Sequence, residues 1–201
     1  LVFAFAANAQ KLNTPLSTPD GKNWQPTKNI VKLDRAVSKA VVYTQDFSSG
    51  ALPTDWQNVA NGGTTVLWAF DNPGDREFFS TTADNGFAIF DSDALGTNGE
   101  LEDADLISPV IDCSALTVVE LSFEHYFASG YGGAGVVSVS GDNGATWTEV
   151  AAYGAEDTDN AAAEKINITS IAAGQSEVMV KFNWTGSWSI FWAVDDFVVS
   201  Q

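Results

Sequence analysis

The stretches Leu121-Ser-Phe-Glu-His-Tyr-Phe127 and Val178-Met-Val-Lys-Phe-Asn-Trp184 decide the fold class. In the first, Leu121, Phe123 and Phe127 share one face while Glu120, Ser122 and Glu124 take the other. In the second, Val178, Val180, Phe182 and Trp184 alternate with Met179, Lys181 and Asn183. A period of two marks a strand with one buried and one wet face. With these two included, β-rich runs separated by Gly, Asn and Asp lie at 41–47, 66–70, 86–90, 106–111, 117–127, 136–140, 146–151, 165–171, 177–184 and 189–199. About ten short strands, with no amphipathic helix longer than two turns, predict an all-β, two-sheet antiparallel sandwich.

At 201 residues and 45% hydrophobic content the chain can bury one full core. Its 7 Trp and 13 Phe are too many for a disordered chain, despite a net charge of −17. The charge is uneven: residues 41–201 hold 24 of the 26 acids and, as bases, only Arg76, Lys165 and Lys181. So acidic a domain excludes nucleic acid as a partner, and its acidity serves either solubility or bound cations. Residues 11–40, with five Lys and one Arg against Asp20 and Asp34 and with three Pro, read as a flexible basic linker or leader. Residues 1–10, an apolar stretch followed by Ala7-Asn8-Ala9, fit the remnant of a secretory signal peptide. The expectation is therefore a domain over 41–201, secreted to the bacterial cell surface and part of a longer polypeptide. No run of about 20 apolar residues predicts a membrane span. Cys113 stands alone, so no internal disulfide is possible.

Several motifs bear on chemistry. Ser140-Gly-Asp-Asn-Gly-Ala-Thr-Trp147 matches an Asp-box, a hairpin turn in which Asp142 accepts amide hydrogen bonds, Gly144 supplies positive φ and Trp147 plugs the base. His125, the only histidine, lies on a strand in phase with its apolar face. A histidine-dependent triad or a multi-histidine zinc site cannot be built from it. No nucleophile–base pair is visible, so the chain is expected not to be an enzyme. Adjacent acids in apolar surroundings, Asp103 and Asp105 before one strand and Asp195-Asp196 in the last, are costly unless neutralised. Calcium, which takes six to eight oxygens, would neutralise them, and Asp46 could join if the first and last strands pair. Ordinary turn and edge hydrogen bonding is the alternative. Trp184 and Trp188 flank Gly186, and Tyr126 and Tyr131 bracket the Gly-rich stretch 130–135. Aromatic faces on loops suit sugar rings, whereas Trp56, Trp68, Trp147 and Trp192 read as core plugs.

Several segments together resemble the cleaved adhesin family, also known as choice-of-anchor domains of Bacteroidetes surface proteins, and more distantly the MAM domains. They are Asp46-Phe-Ser-Ser-Gly-Ala-Leu-Pro-Thr-Asp-Trp56, Trp68, Asp103-Ala-Asp-Leu-Ile-Ser-Pro109, Leu121-Ser-Phe-Glu-His125, Val137-Ser-Val-Ser140 and Phe191-Trp-Ala-Val-Asp-Asp196. They fall in the family's order over about residues 41–200. The resemblance implies a concanavalin-like jelly roll with first and last strands adjacent, often with structural calcium. Asp46, Asp103, Asp195 and Asp196 match acidic positions of the family pattern. Asp105 departs from it, standing where an aromatic residue is usual. The implied function is a calcium-stabilised, non-catalytic surface module binding an extracellular glycan or a host or surface protein. The alternative is a non-catalytic accessory domain of a larger exported protease or other hydrolase.

Overall fold

The period-two segments form two antiparallel sheets in a computed structural model that describes residues 40–96 and 101–201. The expected signal remnant at 1–10 and all of the basic segment but Ala40 lie outside the described residues. One sheet orders β1 (Val41–Gln45), β10 (Phe191–Ser200), β5 (Glu120–Ala128) and β8 (Ala162–Asn167), with β3 (Ala88–Asp91) also paired to β10. The other orders β2 (Gln57–Ala60), β4 (Glu102–Ile107), β9 (Met179–Gly186), β6 (Ala134–Ser140) and β7 (Thr148–Tyr153). Two single-turn helices, α1 (Ser92–Leu95) and α2 (Thr169–Ala172), complete the regular structure with a 3-10 turn at Ala83–Asn85. First and last strands pair, Gln45 opposite Phe197 and Val41 opposite Ser200. The fold is the all-β two-sheet antiparallel sandwich that the alternation predicts, in the jelly-roll form that the resemblance implies.

Departures from the expected strands have local causes. Residues 66–70 form no strand: Trp68 is instead a buried plug, its amide donating to Asn58 Oδ1 and its indole to the Ala104 carbonyl. β4 begins at Glu102, earlier than expected, because Ala104 and Leu106 supply an inward face while Asp103 and Asp105 point outward. Residues 169–171, expected as strand, turn into α2, whose Ala172 packs in the core.

Between the sheets lies a core rich in rings. Trp192 is fully buried, with the rings of Trp68, Tyr153, Phe182 and Phe127 centred 5.5, 5.5, 5.8 and 6.0 Å away. Gly135 makes room for it, since a Cβ there would come within 2.7 Å of the indole. A second cluster of Phe78, Phe87, Ile89, Ala128, Phe191 and Ala193 covers the opposite face of the β10 sheet. Burial on both faces accounts for the unbroken apolar run Phe191-Trp-Ala-Val194, as continuous burial replaces alternation where both sides are covered.

His125 belongs to this core. The Trp192 indole donates to its Nδ1 at 3.2 Å, which places the ring proton on Nε2, 3.4 Å from Glu164 Oε1. Burial lowers the imidazole's pKa, outweighing the attraction and hydrogen bond of Glu164. Because the unfolded chain takes up this proton near pH 6.5 and the folded one does not, the stability contributed here is present above pH 6.5 and lost as pH falls below it. In NMR, the ring signals of this histidine should stay in their neutral form as pH drops through 6.5. Titration at the ordinary value would contradict the buried placement.

Candidate functional site

Two loops at one end of the sandwich carry two of the exposed aromatics, a third, Phe79, lying elsewhere. The loop after β5 presents Tyr131, 79% exposed, and the loop after β9 presents Trp188, 48% exposed. Their rings stack, with centroids 5.7 Å apart and planes inclined by 16°. Both residues hold a left-handed backbone, φ 51° and 53°. Bulky side chains rarely adopt that conformation, and each instance costs about 1–3 kcal/mol. The chain thus forgoes stability to hold two large apolar faces in water.

The loops are tied at their base. Buried Ser189 donates its hydroxyl to the Gly130 carbonyl and accepts from the Gly133 amide at 3.1 Å, so one side chain joins both loops. Gly133 is required for close approach, because a Cβ there would overlap the Ser189 hydroxyl and lie 2.8 Å from the Trp184 ring.

Of the four aromatics expected on loops, the structure brings only Tyr131 and Trp188 together. Trp184 is corrected: β9 runs through Gly186, so its alternation carries Trp184 inward, where it is fully buried and stacked on Phe90 at 5.1 Å. Tyr126 is corrected as well. It lies within β5 rather than on a loop, half-buried edge-on against Phe191 at 5.2 Å.

A second candidate site lies where β1 meets β10. The β10 ladder to β5 is irregular between Asp195 and Val198, and Asp196 has φ 49°. A regular strand would point Asp195 and Asp196 to opposite faces; here both reach one side chain. Thr82 Oγ1 lies 3.1 Å from Asp195 Oδ2 and 3.0 Å from Asp196 Oδ1, while the Thr82 amide donates to Asp196 Oδ2 at 3.1 Å. Ser80 donates to Asp195 Oδ2 at 2.6 Å, and the Thr81 amide and hydroxyl both donate to Glu124. Asp195 is fully buried, and among the described residues its Oδ1 has no partner. Burial pushes its pKa up to about 6, against the pull of the Ser80 and Thr82 hydrogen bonds. Asp196 and Asp46 line one cavity of about 300 Å³ with Thr44, Gln45 and Thr82. The Ser48 hydroxyl and amide hold Asp46 below its ordinary pKa.

The structure divides the five acids proposed for calcium. Asp103 and Asp105 lie on β4, in the other sheet from Asp195 and Asp196 and from the β1 strand that Asp46 follows, and both are satisfied locally. Asn61 and Asn183 donate to Asp103 Oδ1 at 3.0 and 2.9 Å, Asn183 also to Asp105 at 2.8 Å, and Lys181 stands 3.5 Å from Asp105 Oδ2. Among the described residues no three Asp, Glu, His or Cys side chains converge as a ready metal cage. Asp46, Asp196 and Thr82 line one cavity that Asp195 does not line, and among the described residues the buried Asp195 Oδ1 has no partner.

The Asp-box forms a turn. Asp142 accepts from Ser140 Oγ, the Thr146 amide and the Thr146 hydroxyl at 2.7, 2.9 and 2.6 Å, which hold its pKa at about 2, the Thr146 hydroxyl foremost. Trp147 packs beside it under Lys181, 4.8 Å from the ring centroid. Sequence reasoning missed Ser80, Thr81, Thr82, Ser92, Glu102 and Ser189. Isolated Ser and Thr carry no pattern, and their partners are 10–115 residues away.

No helix of the described residues is long and apolar enough to cross a membrane. No family model matches the chain, and no curated protein matches it. Solved structures do match. The chain is 16% identical to the K3 cleaved adhesin domain of Lys-gingipain from Porphyromonas gingivalis, with a TM-score of 0.60 over 81% of this chain and 99% of that one. It is 15% identical to the K1 domain of the same protein, with a TM-score of 0.58 over 78% and 96%. For the K2 domain the values are 16%, 0.55, 79% and 97%. The chain shares its jelly-roll fold with the cleaved adhesin domains, as the order of its sequence segments implies.

Proposed function

We propose that the domain is a non-catalytic adhesion or glycan-binding module of an exported bacterial protein, and that it engages neutral sugar units at Tyr131 and Trp188. The observation that carries this reading is the exposed stacked pair, held in an unfavourable backbone conformation on two loops tied to each other. Tyr and Trp offer an apolar ring face together with a polar edge, which suits the C–H face and hydroxyl rim of a sugar. A paired exposed aromatic surface on a domain this polar marks a contact site. The likeness in fold to adhesin domains is consistent with such a role.

Charge narrows the ligand. Arg76 is held by Asp91 and Asp93 at 2.8 and 2.7 Å, and Lys181 faces Asp105, so two of the domain's three bases are committed to carboxylates. Anionic sugars would meet a repulsive field. Titration with neutral oligosaccharides should shift tryptophan fluorescence with little dependence on salt, while sulfated forms of the same sugars bind more weakly. Tighter, salt-sensitive binding of the sulfated forms would contradict the reading.

The same reading includes structural calcium held by Asp46, Asp195 and Asp196 with the Thr82 hydroxyl. Bound there, it would supply the positive charge that a buried carboxylate lacks. What supports it is Asp195 Oδ1, without a partner among the described residues, together with a cavity that Asp46 and Asp196 line with Thr82.

A further inference from the structure

Beneath the two display loops runs a buried polar chain that the jelly-roll core does not need. Glu102, 2% exposed, faces inward from β4. Its Oε1 accepts from the Ser92 hydroxyl at 2.8 Å and its Oε2 from the Trp184 indole at 2.9 Å. Ser92, fully buried at the start of α1, accepts from the Ser189 amide at 2.5 Å. Ser189 in turn holds Gly130 and Gly133 on the other loop. Chain segments separated by 97 and 59 residues thus meet through three side chains. α1 is anchored from outside by Asp91, which accepts from the Ala94 amide at 3.0 Å and from Arg76 at 2.8 Å.

Among the described residues no cation pairs with Glu102, and the one arginine there, Arg76, is held by Asp91 and Asp93. Burying a carboxylate is costly even with these two hydrogen bonds, and an apolar residue of similar volume would pack more cheaply. Both of its oxygens accept, so the carboxylate fixes two donors at once: the indole floor that Gly133 rests on, and Ser92, which orients Ser189. Charge-assisted hydrogen bonds are shorter and stronger than neutral ones, which suits a fixed geometry.

We propose that Glu102, acting through Ser92 and Ser189, is the positioning residue of the aromatic platform: the buried Glu102–Ser92–Ser189 chain locks the loops of Tyr131 and Trp188 into one stacked surface. This rests on the proposed binding role for its purpose but not for its geometry, and the two can be tested apart. The rings of the four tyrosines give few NMR signals, and Tyr131 should be recognisable by the upfield ring-current shift that Trp188 imposes, lost in Trp188→Ala. In Ser92→Ala and Glu102→Gln the Tyr131 shift should move most of the way to its Trp188→Ala value, with oligosaccharide affinity falling about tenfold where one hydrogen bond of the chain is lost. Should Glu102→Gln fail to fold, Ser92→Ala and Ser189→Ala decide. Folded variants that keep the Tyr131 shift of the wild type would overturn the proposal, even if they melt earlier, because lost stability alone marks an ordinary core role. If the shift collapses as expected while the wild type binds no oligosaccharide, the positioning stands and the glycan reading falls.

Discussion

Trp192→Ala should destabilise the domain by about 3–5 kcal/mol, the range for truncating a large buried ring, and lower its melting midpoint by roughly 10 °C or more. Trp192 has no exposed surface, and four other aromatic rings surround it within 6.0 Å. Truncation would also leave His125 Nδ1 buried without its donor. The surrounding groups come from both sheets, Tyr153 and Phe182 from one and Phe127 and His125 from the other, so the void cannot close by moving one strand. Trp188→Ala, by contrast, removes a half-exposed ring and should shift stability by no more than about 0.5 kcal/mol. Urea unfolding of both variants checks the pair. A cost below about 1 kcal/mol for Trp192→Ala would contradict the core as described.

The second large effect concerns Asp195. Its pKa stands at about 6 in the fold against an ordinary 3.8, so the folded state binds the extra proton between these values. The stability it contributes is fully present below pH 3.8 and lost as pH rises through 6. At neutral pH without a cation the buried carboxylate therefore costs on the order of 3 kcal/mol. Calcium should reverse the sign by holding the carboxylate ionised. At 100 times its dissociation constant it should add about 2.7 kcal/mol at neutral pH, with stability then falling as acid displaces it. Asp195→Asn should be at least as stable as the wild type in chelator at pH 8, and should lose most of the gain from calcium. Glu149→Gln, on the exposed β7 edge, should leave that gain intact. Calorimetry without a calcium heat, together with a melting transition that chelator does not move, would remove the cation from the account.

The fold was legible in the sequence because it follows from side-chain period. Leu121, Phe123 and Phe127, and Val178 through Trp184, point as their alternation dictates, and the pairing of first and last strands follows from the order of family-like segments. The same alternation already placed Trp184 inward, against its reading as a loop residue beside Gly186. What stayed hidden were boundaries and distant partners. Tyr126 already stood inside the expected strand 117–127, and only its nearness to the Gly-rich stretch 130–135 made it read as a loop aromatic. The separation of Asp103 and Asp105 from Asp195 could not be seen, since adjacency to apolar runs does not say which sheet a strand joins. The bulge that turns Asp196 beside Asp195 has no composition signal either, and neither does the cross-chain link from Ser92 to Ser189.

The central claim is that Tyr131 and Trp188 form a binding surface, and the affinity of the domain for neutral oligosaccharides, measured by calorimetry in the wild type, Tyr131→Ala and Trp188→Ala, tests it most directly. The account predicts that the wild type binds at least one such sugar, and that each variant loses about tenfold or more in affinity, about 1.4 kcal/mol, while its melting temperature stays within a few degrees. Variants that bind as tightly as the wild type, or a wild type that binds none of the sugars, would contradict it.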